Sequence, residues 1–224
     1  MFDDFKTICI ENGFRFRGKA CFRVIGDGVL QVLKYNKSRI PYNPILELGL
    51  FSLYGSIESG ELTSLGCIPR YWIYNLAHPY EAAAEFLLIG PEMEKQMGVL
   101  KEKGFHWLDT IASQSALADA ICKLDIATFN SICWNDMDKF APFLKCGDFA
   151  NAEKVIQAII EQYLSAWHSK SEGLKSETWE AHTKDMLAFK ELLEMACSRN
   201  EKKINEYLME NYDTNLKKVK FCMG

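Results

Sequence analysis

From Gly13 to Tyr54 apolar and polar residues alternate, which is the period of an extended chain, because successive strand side chains point to opposite faces. In the first run Phe14, Phe16, Ala20, Phe22 and Val24 share one parity, and Arg15, Arg17, Lys19, Cys21 and Arg23 share the other. The pattern predicts a strand with one apolar and one basic face. Gly26-Asp27-Gly28 then places a residue tolerant of positive φ on each side of an aspartate, so a tight reversal into a second strand, Val29 to Lys37, follows. Beyond the connection Ile40-Pro41-Tyr42-Asn43-Pro44, Ile45 to Tyr54 reads as a third strand with Leu46, Leu48 and Leu50 on one face. Cys67 to Tyr74 reads as a fourth, and Pro69 places it at an edge or at a strand start.

Elsewhere the apolar period is helical. Phe2, Phe5 and Cys9 line a short helix that Asn12-Gly13 ends. Pro79 opens a helix to Ile89, Gly90-Pro91 breaks it, and a second segment runs to Lys103, where Gly104 stops it and leaves Phe105 to Leu108 as an aromatic linker. Ser113 caps a helix through Leu124 with Leu117, Ala120, Ile121 and Leu124 as its stripe. Pro142 predicts short, broken helices between Ile126 and Cys146. Gly147-Asp148 then introduces three longer amphipathic helices, marked by Ile156 and Tyr163, by Phe189 and Leu193, and by Leu208 and Val219. The first two are separated by a polar linker, Ser169 to Ser176. The expected fold class is α+β: an antiparallel sheet of about four strands packed with helices, followed by a helical C-terminal half. A soft boundary divides a sheet domain, 1–125, from a helical region, 126–224, that can pack with it as one unit.

Composition narrows the class. With 224 residues, 48% hydrophobic and 12% aromatic, the chain can bury a large core and is not a disordered polymer. Its 26 basic and 30 acidic side chains are too nearly balanced for a general nucleic-acid binder, although residues 1–60 are mildly basic and 61–150 acidic. The eight cysteines include no C-x-x-C pair, which excludes a zinc ribbon and a thioredoxin-type motif. The opening MFDDFKTICIENG lacks a basic region and a long apolar run, and no segment is apolar enough to span a bilayer; a cytoplasmic protein without a membrane partner is expected.

The phosphate-binding, dinucleotide-binding, zinc-protease and nucleophile-elbow motifs are missing, and the four histidines have no histidine or cysteine one helical turn away. No catalytic residue, metal-ligand set or cofactor is therefore assigned, and whether the chain is an enzyme stays open. The polar face of the sheet is the constellation to consider. With a three-residue Gly26-Asp27-Gly28 loop, Arg23 lies opposite Gln31 and Lys19 opposite Tyr35, which gathers Arg17, Lys19, Arg23, Gln31 and Tyr35 on one surface; a two-residue loop would break the grouping. Glu47, Arg70 and Trp72 from the later strands complete the candidate binding set. Such a surface suits an anion or an acidic partner, because the guanidinium fork matches carboxylate and phosphate. The plainer reading is a solvated outer face whose charges guard against edge pairing.

Gly13-Phe14, Arg15, Arg17, Phe22-Arg23, Gln31, Lys37-Ser38 and the later Trp107-Leu108-Asp109-Thr110-Ile111 give residues 5 to about 125 a resemblance to a bacterial α+β domain family. That family opens with a helix, a Gly-Phe followed by basic residues, and a hairpin. The resemblance implies an α+β domain with no established activity, cofactor or catalytic residue, and some relatives resemble the immunity proteins that accompany bacterial toxins. The functional expectation is a non-enzymatic cytoplasmic module that binds another protein, of immunity-like type; the alternative is a small-molecule-binding protein or enzyme with a polar cleft on the sheet.

Overall fold

The structure, a computed structural model, describes residues 2–37, 44–55, 70–72, 93–128, 137–168 and 176–223. The chain begins with helix α1 (Phe2–Glu11) and continues through β1 (Arg15–Arg17), β2 (Ala20–Ile25), β3 (Val29–Lys37), β4 (Pro44–Ser52) and β5 (Arg70–Trp72). Then come α2 (Met93–Val99), a π turn (Leu100–Gly104), α3 (Phe105–Thr110), α4 (Gln114–Thr128), α5 (Met137–Lys145), α6 (Phe149–His168), α7 (Ser176–Ser198) and α8 (Glu201–Met223). The sheet is an antiparallel meander in the order β1-β2-β3-β4-β5. The α+β reading holds, with five strands among the described residues where about four were expected, because the first alternating run folds back on itself at Gly18-Lys19. The helix predicted for 79–89 and most of the fourth strand lie outside the described residues.

Register explains which side chains meet which layer. Ile25 pairs with Val29, so the Gly26-Asp27-Gly28 loop has the three residues expected, and Arg23 faces Gln31. The backbone N–H of Tyr35 donates to the Lys19 carbonyl at 3.0 Å, which confirms that alignment. One face of the sheet carries Cys21, Val29, Leu33, Leu46 and Leu50, and it packs on helices that contribute Phe5, Leu108, Ile121, Phe140, Ile156 and Leu208. The other face carries Ala20, Phe22, Leu30, Val32, Phe51 and Leu53, and α8 covers it with Tyr212, Leu216 and Val219. Both faces are thus dry over the middle of the sheet. The expectation of one apolar and one wet face is corrected: the parity that carries Cys21, Arg23 and Gln31 faces the larger core, because Val29, Leu33, Leu46 and Leu50 beside it on β3 and β4 are apolar and draw helices onto it.

The helical expectations hold at their caps. The Phe14 N–H reaches back to the Cys9 carbonyl at 2.9 Å and closes α1. Ser113 Oγ accepts from the Ala116 N–H at 3.1 Å and opens α4, and Asp148 Oδ1 accepts from the Asn151 N–H at 3.2 Å and opens α6. Two expectations fail. Gly104 does not stop its helix: it is buried in helical geometry (φ −63°, ψ −49°), and the π turn carries the chain directly into α3. The aromatic linker is therefore helical, with Phe105 and Leu108 in the core. Pro142 lies within α5 without breaking it, and the helix continues to Lys145.

Candidate functional site

Arg23 and Gln31, the centre of the expected polar surface, sit side by side on β2 and β3, where the hairpin register puts them. Gln31 is wholly buried. Its Oε1 accepts from Arg23 Nε at 2.9 Å and Nη2 at 2.6 Å, while its Nε2 donates to the carbonyls of Leu108 at 2.7 Å and Ile111 at 3.3 Å. Arg23 Nη1 donates to the Asn12 carbonyl at 3.0 Å, Nη2 reaches Asp109 Oδ1 at 2.7 Å, and the guanidinium lies 4.6 Å from the centre of the Phe14 ring. Burial of a polar group is costly unless it is hydrogen-bonded, and here the amide has partners for its oxygen and for its nitrogen. The network ties the hairpin to the end of α1 and to the end of α3.

A second polar junction sits at the hairpin tip. Asp27 Oδ1 accepts from the Gln114 N–H at 2.9 Å, so a carboxylate of the turn sits at the N-terminus of α4, where the helix dipole favours an anion. The buried Gln114 side chain accepts from Ser52 Oγ at 2.7 Å, and Ser52 Oγ in turn accepts from the Tyr54 N–H at 3.2 Å. On the opposite face Asn215 of α8 donates to the carbonyls of Leu53 at 3.0 Å and Gly55 at 2.6 Å. Tyr212 stacks on Tyr54 with centroids 4.9 Å apart. In each case polar groups of the sheet are taken up by the fold.

Comparison with protein-family models, curated proteins and solved structures finds no match to this chain. Its chemistry has to be read from its own geometry.

The candidate set does not form one surface. Arg17 pairs with Ala20, whereas Arg23 pairs with Gln31, and these positions have opposite parity on the sheet. Arg17 therefore projects to the side of Phe22 and α8, and Arg23 to the side of the larger core. The turn at Gly18-Lys19, which flat alternation through Phe14 to Val24 does not reveal, causes the inversion. Lys19 is exposed at that turn, and Tyr35 is half-buried beside Phe5, with ring centroids 6.1 Å apart. Glu47 is paired in register with Lys34 on one side and Trp72 on the other, and Arg70 with Gly49. A polar cleft built from Arg17, Arg23, Glu47, Arg70 and Trp72 is not available, because the register puts Arg23 on the opposite face from the other four.

What remains toward solvent is the sheet edge. Arg15, Arg17 and Lys19 are exposed on β1 and its turn, and β1 stands at the end of the strand order among the described residues. Asn12, Asp27, Asp109, Gln114 and Asn215 are polar groups far apart in sequence; the first three belong to local patterns, a helix end, a turn and the 107–111 run, that do not reveal their distant partners, and Gln114 and Asn215 carry no local signal. Among the described residues no group of three histidine, cysteine or acidic side chains could hold a metal ion, and no helix is long and apolar enough to cross a membrane. Cys9 and Cys21 are buried free thiols in contact; burial and then the neighbouring thiol push Cys21 well above the usual thiol range, which leaves it protonated and a poor nucleophile.

Proposed function

We propose that this chain is a non-enzymatic cytoplasmic protein-binding module, which offers a partner protein a rigid sheet edge in place of a reactive cleft. The observation that supports this is the fate of the sheet's polar side chains. Arg23, Gln31, Ser52 and Asp27 are all engaged with backbone or side chains of the same molecule, so the face best suited to grip a small anion is already filled. The side chains of Arg15, Arg17 and Lys19 are exposed at the β1 edge and its turn. The bacterial, immunity-like character implied by the family resemblance specifies the partner further as a toxin-like protein encoded beside this one.

The test is isolation of the tagged chain from its source cells, followed by reconstitution from purified components. A single protein that co-elutes at equal stoichiometry and rebinds after purification is the expected result; a toxin gene adjacent in the genome would fit the immunity-like form. A small molecule retained stoichiometrically, or turnover of a substrate by the purified chain, would overturn the reading.

A further inference from the structure

We propose that β1 is a strand-addition site for an extended acidic segment of a partner protein, with acidic residues at alternate positions around one apolar residue. The inference rests on the protein-binding reading above and names the chemistry of the partner. It starts from main-chain hydrogen bonding. The N–H of Tyr35 bonds to the carbonyl of Lys19, so along β2 the odd-numbered residues direct their backbone groups toward β3. Ala20 and Phe22 therefore direct theirs toward β1, where they meet Arg17 and Arg15. Phe16, between those two, turns its N–H and C=O away from β2, into the plane of the sheet beyond β1, the end strand among the described residues. Such outward groups at an edge are the template that strand addition uses.

The side chains then choose the occupant. Arg15 and Arg17 are exposed on one side of β1, and half-buried Phe16 lies on the other, where it makes an edge-to-face contact with Phe5 at 5.8 Å between centroids. A strand added alongside would set two residues beside the arginines and one beside Phe16. Acids at the first two positions gain opposite-charge cross-strand pairs, and an apolar residue at the third extends the Phe5-Phe16 contact. A second copy of this chain does not suit the edge. Antiparallel pairing of β1 with itself about Phe16 places Arg15 against the other copy's Arg17, and like charges directly opposite each other are destabilising. The same arginines that admit an acidic strand thus refuse self-association.

The experiment uses the full chain and a blocked synthetic peptide with a Glu-Val-Glu core. A peptide of the same composition in Glu-Glu-Val order and a version N-methylated at the valine serve as comparisons. Binding is read by fluorescence anisotropy and by amide hydrogen exchange. The alternating peptide is expected to bind, to slow exchange at the Phe16 amide, and to bind about tenfold more weakly to the Arg15→Glu, Arg17→Glu double variant, whose native circular dichroism spectrum and cooperative melting show that it is folded. The scrambled and N-methylated peptides should bind at least about tenfold more weakly. Equal binding of the scrambled peptide, or no change at Phe16, would overturn strand addition in favour of undirected charge attraction. Self-association that the double charge reversal abolishes would also overturn it. A natural partner that binds normally to the double variant would sink this inference alone, whereas the absence of any protein partner would sink the functional reading beneath it.

Discussion

Arg23 shows how one side chain can look like a binding residue and work as a structural one. Its fork satisfies the buried Gln31 oxygen and the Asn12 carbonyl together, whereas its contact with Asp109 is half in water, because that carboxylate is 55% exposed. The buried hydrogen bonds, not the ion pair, carry its contribution. Arg23→Met should therefore cost about 3 kcal/mol, since it orphans the Gln31 oxygen, and Arg23→Lys should recover less than half of that because one ammonium cannot reproduce the fork. Arg15→Ala, at the exposed edge, should stay within about 0.5 kcal/mol of the parent. Urea midpoints of the three variants test the ranking. Gly26 carries a comparable constraint: at φ +56° an added Cβ would meet the Ala112 carbonyl oxygen, with no room for it to move aside. Gly18 also has positive φ but faces open space. Gly26→Ala should cost about 3 kcal/mol or prevent folding, and Gly18→Ala about 1 kcal/mol, as melting curves would show.

Among the elements, α8 does the most to complete the sheet, because it converts a face carrying Phe22, Leu30, Val32 and Phe51 from a wet surface into a core. Asn215 fixes its position by donating to two carbonyls at the end of β4. Asn215→Asp removes that donor and sets an acceptor against two acceptors; it should cost about 3 kcal/mol, more than Asn215→Ala, with enhanced binding of a hydrophobic dye as the sheet face opens. The α6–α7 pair is held differently. Tyr163 stacks on His182, meets Phe189 edge-on and donates to Asp185 at 2.8 Å. Burial first, and then the hydrogen bond to that carboxylate, push its phenol from 10 up to about 12. The folded phenol holds its proton more tightly than the unfolded one, so its contribution is complete below about pH 10 and is lost as the pH climbs toward 12. Absorbance titration of the tyrosinate should lose one late-titrating group on Tyr163→Phe, and that variant should lose stability near neutral pH but less at high pH.

For the whole molecule, the helical half and the sheet half share one core. The cluster that begins at Phe5 and Leu33 runs through Phe140 and Ile156 to Leu208, and α8 then crosses to the other side of the sheet with Val219. A cut near residue 125 would divide this cluster and strip the cover from the second sheet face. Separately expressed 1–125 and 126–224 should therefore be poorly folded, whereas the full chain should unfold in one transition seen alike by near-ultraviolet and far-ultraviolet circular dichroism. Two well-separated transitions, or a stable 1–125 fragment, would contradict that picture.

Local pattern was enough for the elements whose cause is local. Alternation and turn residues located the Gly26 hairpin, whose register then followed from the three-residue loop in the structure, and capping residues located the start of α4 and the link between α5 and α6, because a turn or a cap is decided by a few adjacent residues. The α+β class follows from the same two periods. Three decisions needed the folded chain. Gly18-Lys19 was read as part of one strand because a two-residue turn interrupts alternation by so little that parity still looks continuous, and this hid the opposite facing of Arg17 and Arg23. Gly104 and Pro142 were read by intrinsic preference, which packing of Leu100, Phe105 and Phe143 into the core overrides. The basic parity was read as wet because charge predicts exposure only on average; Arg23 and Gln31 are instead satisfied by Asn12, Leu108, Asp109 and Ile111, partners brought near by tertiary structure alone. Periodicity could decide which residues share a face of an element, but what covers that face is a property of contacts between segments distant in the chain.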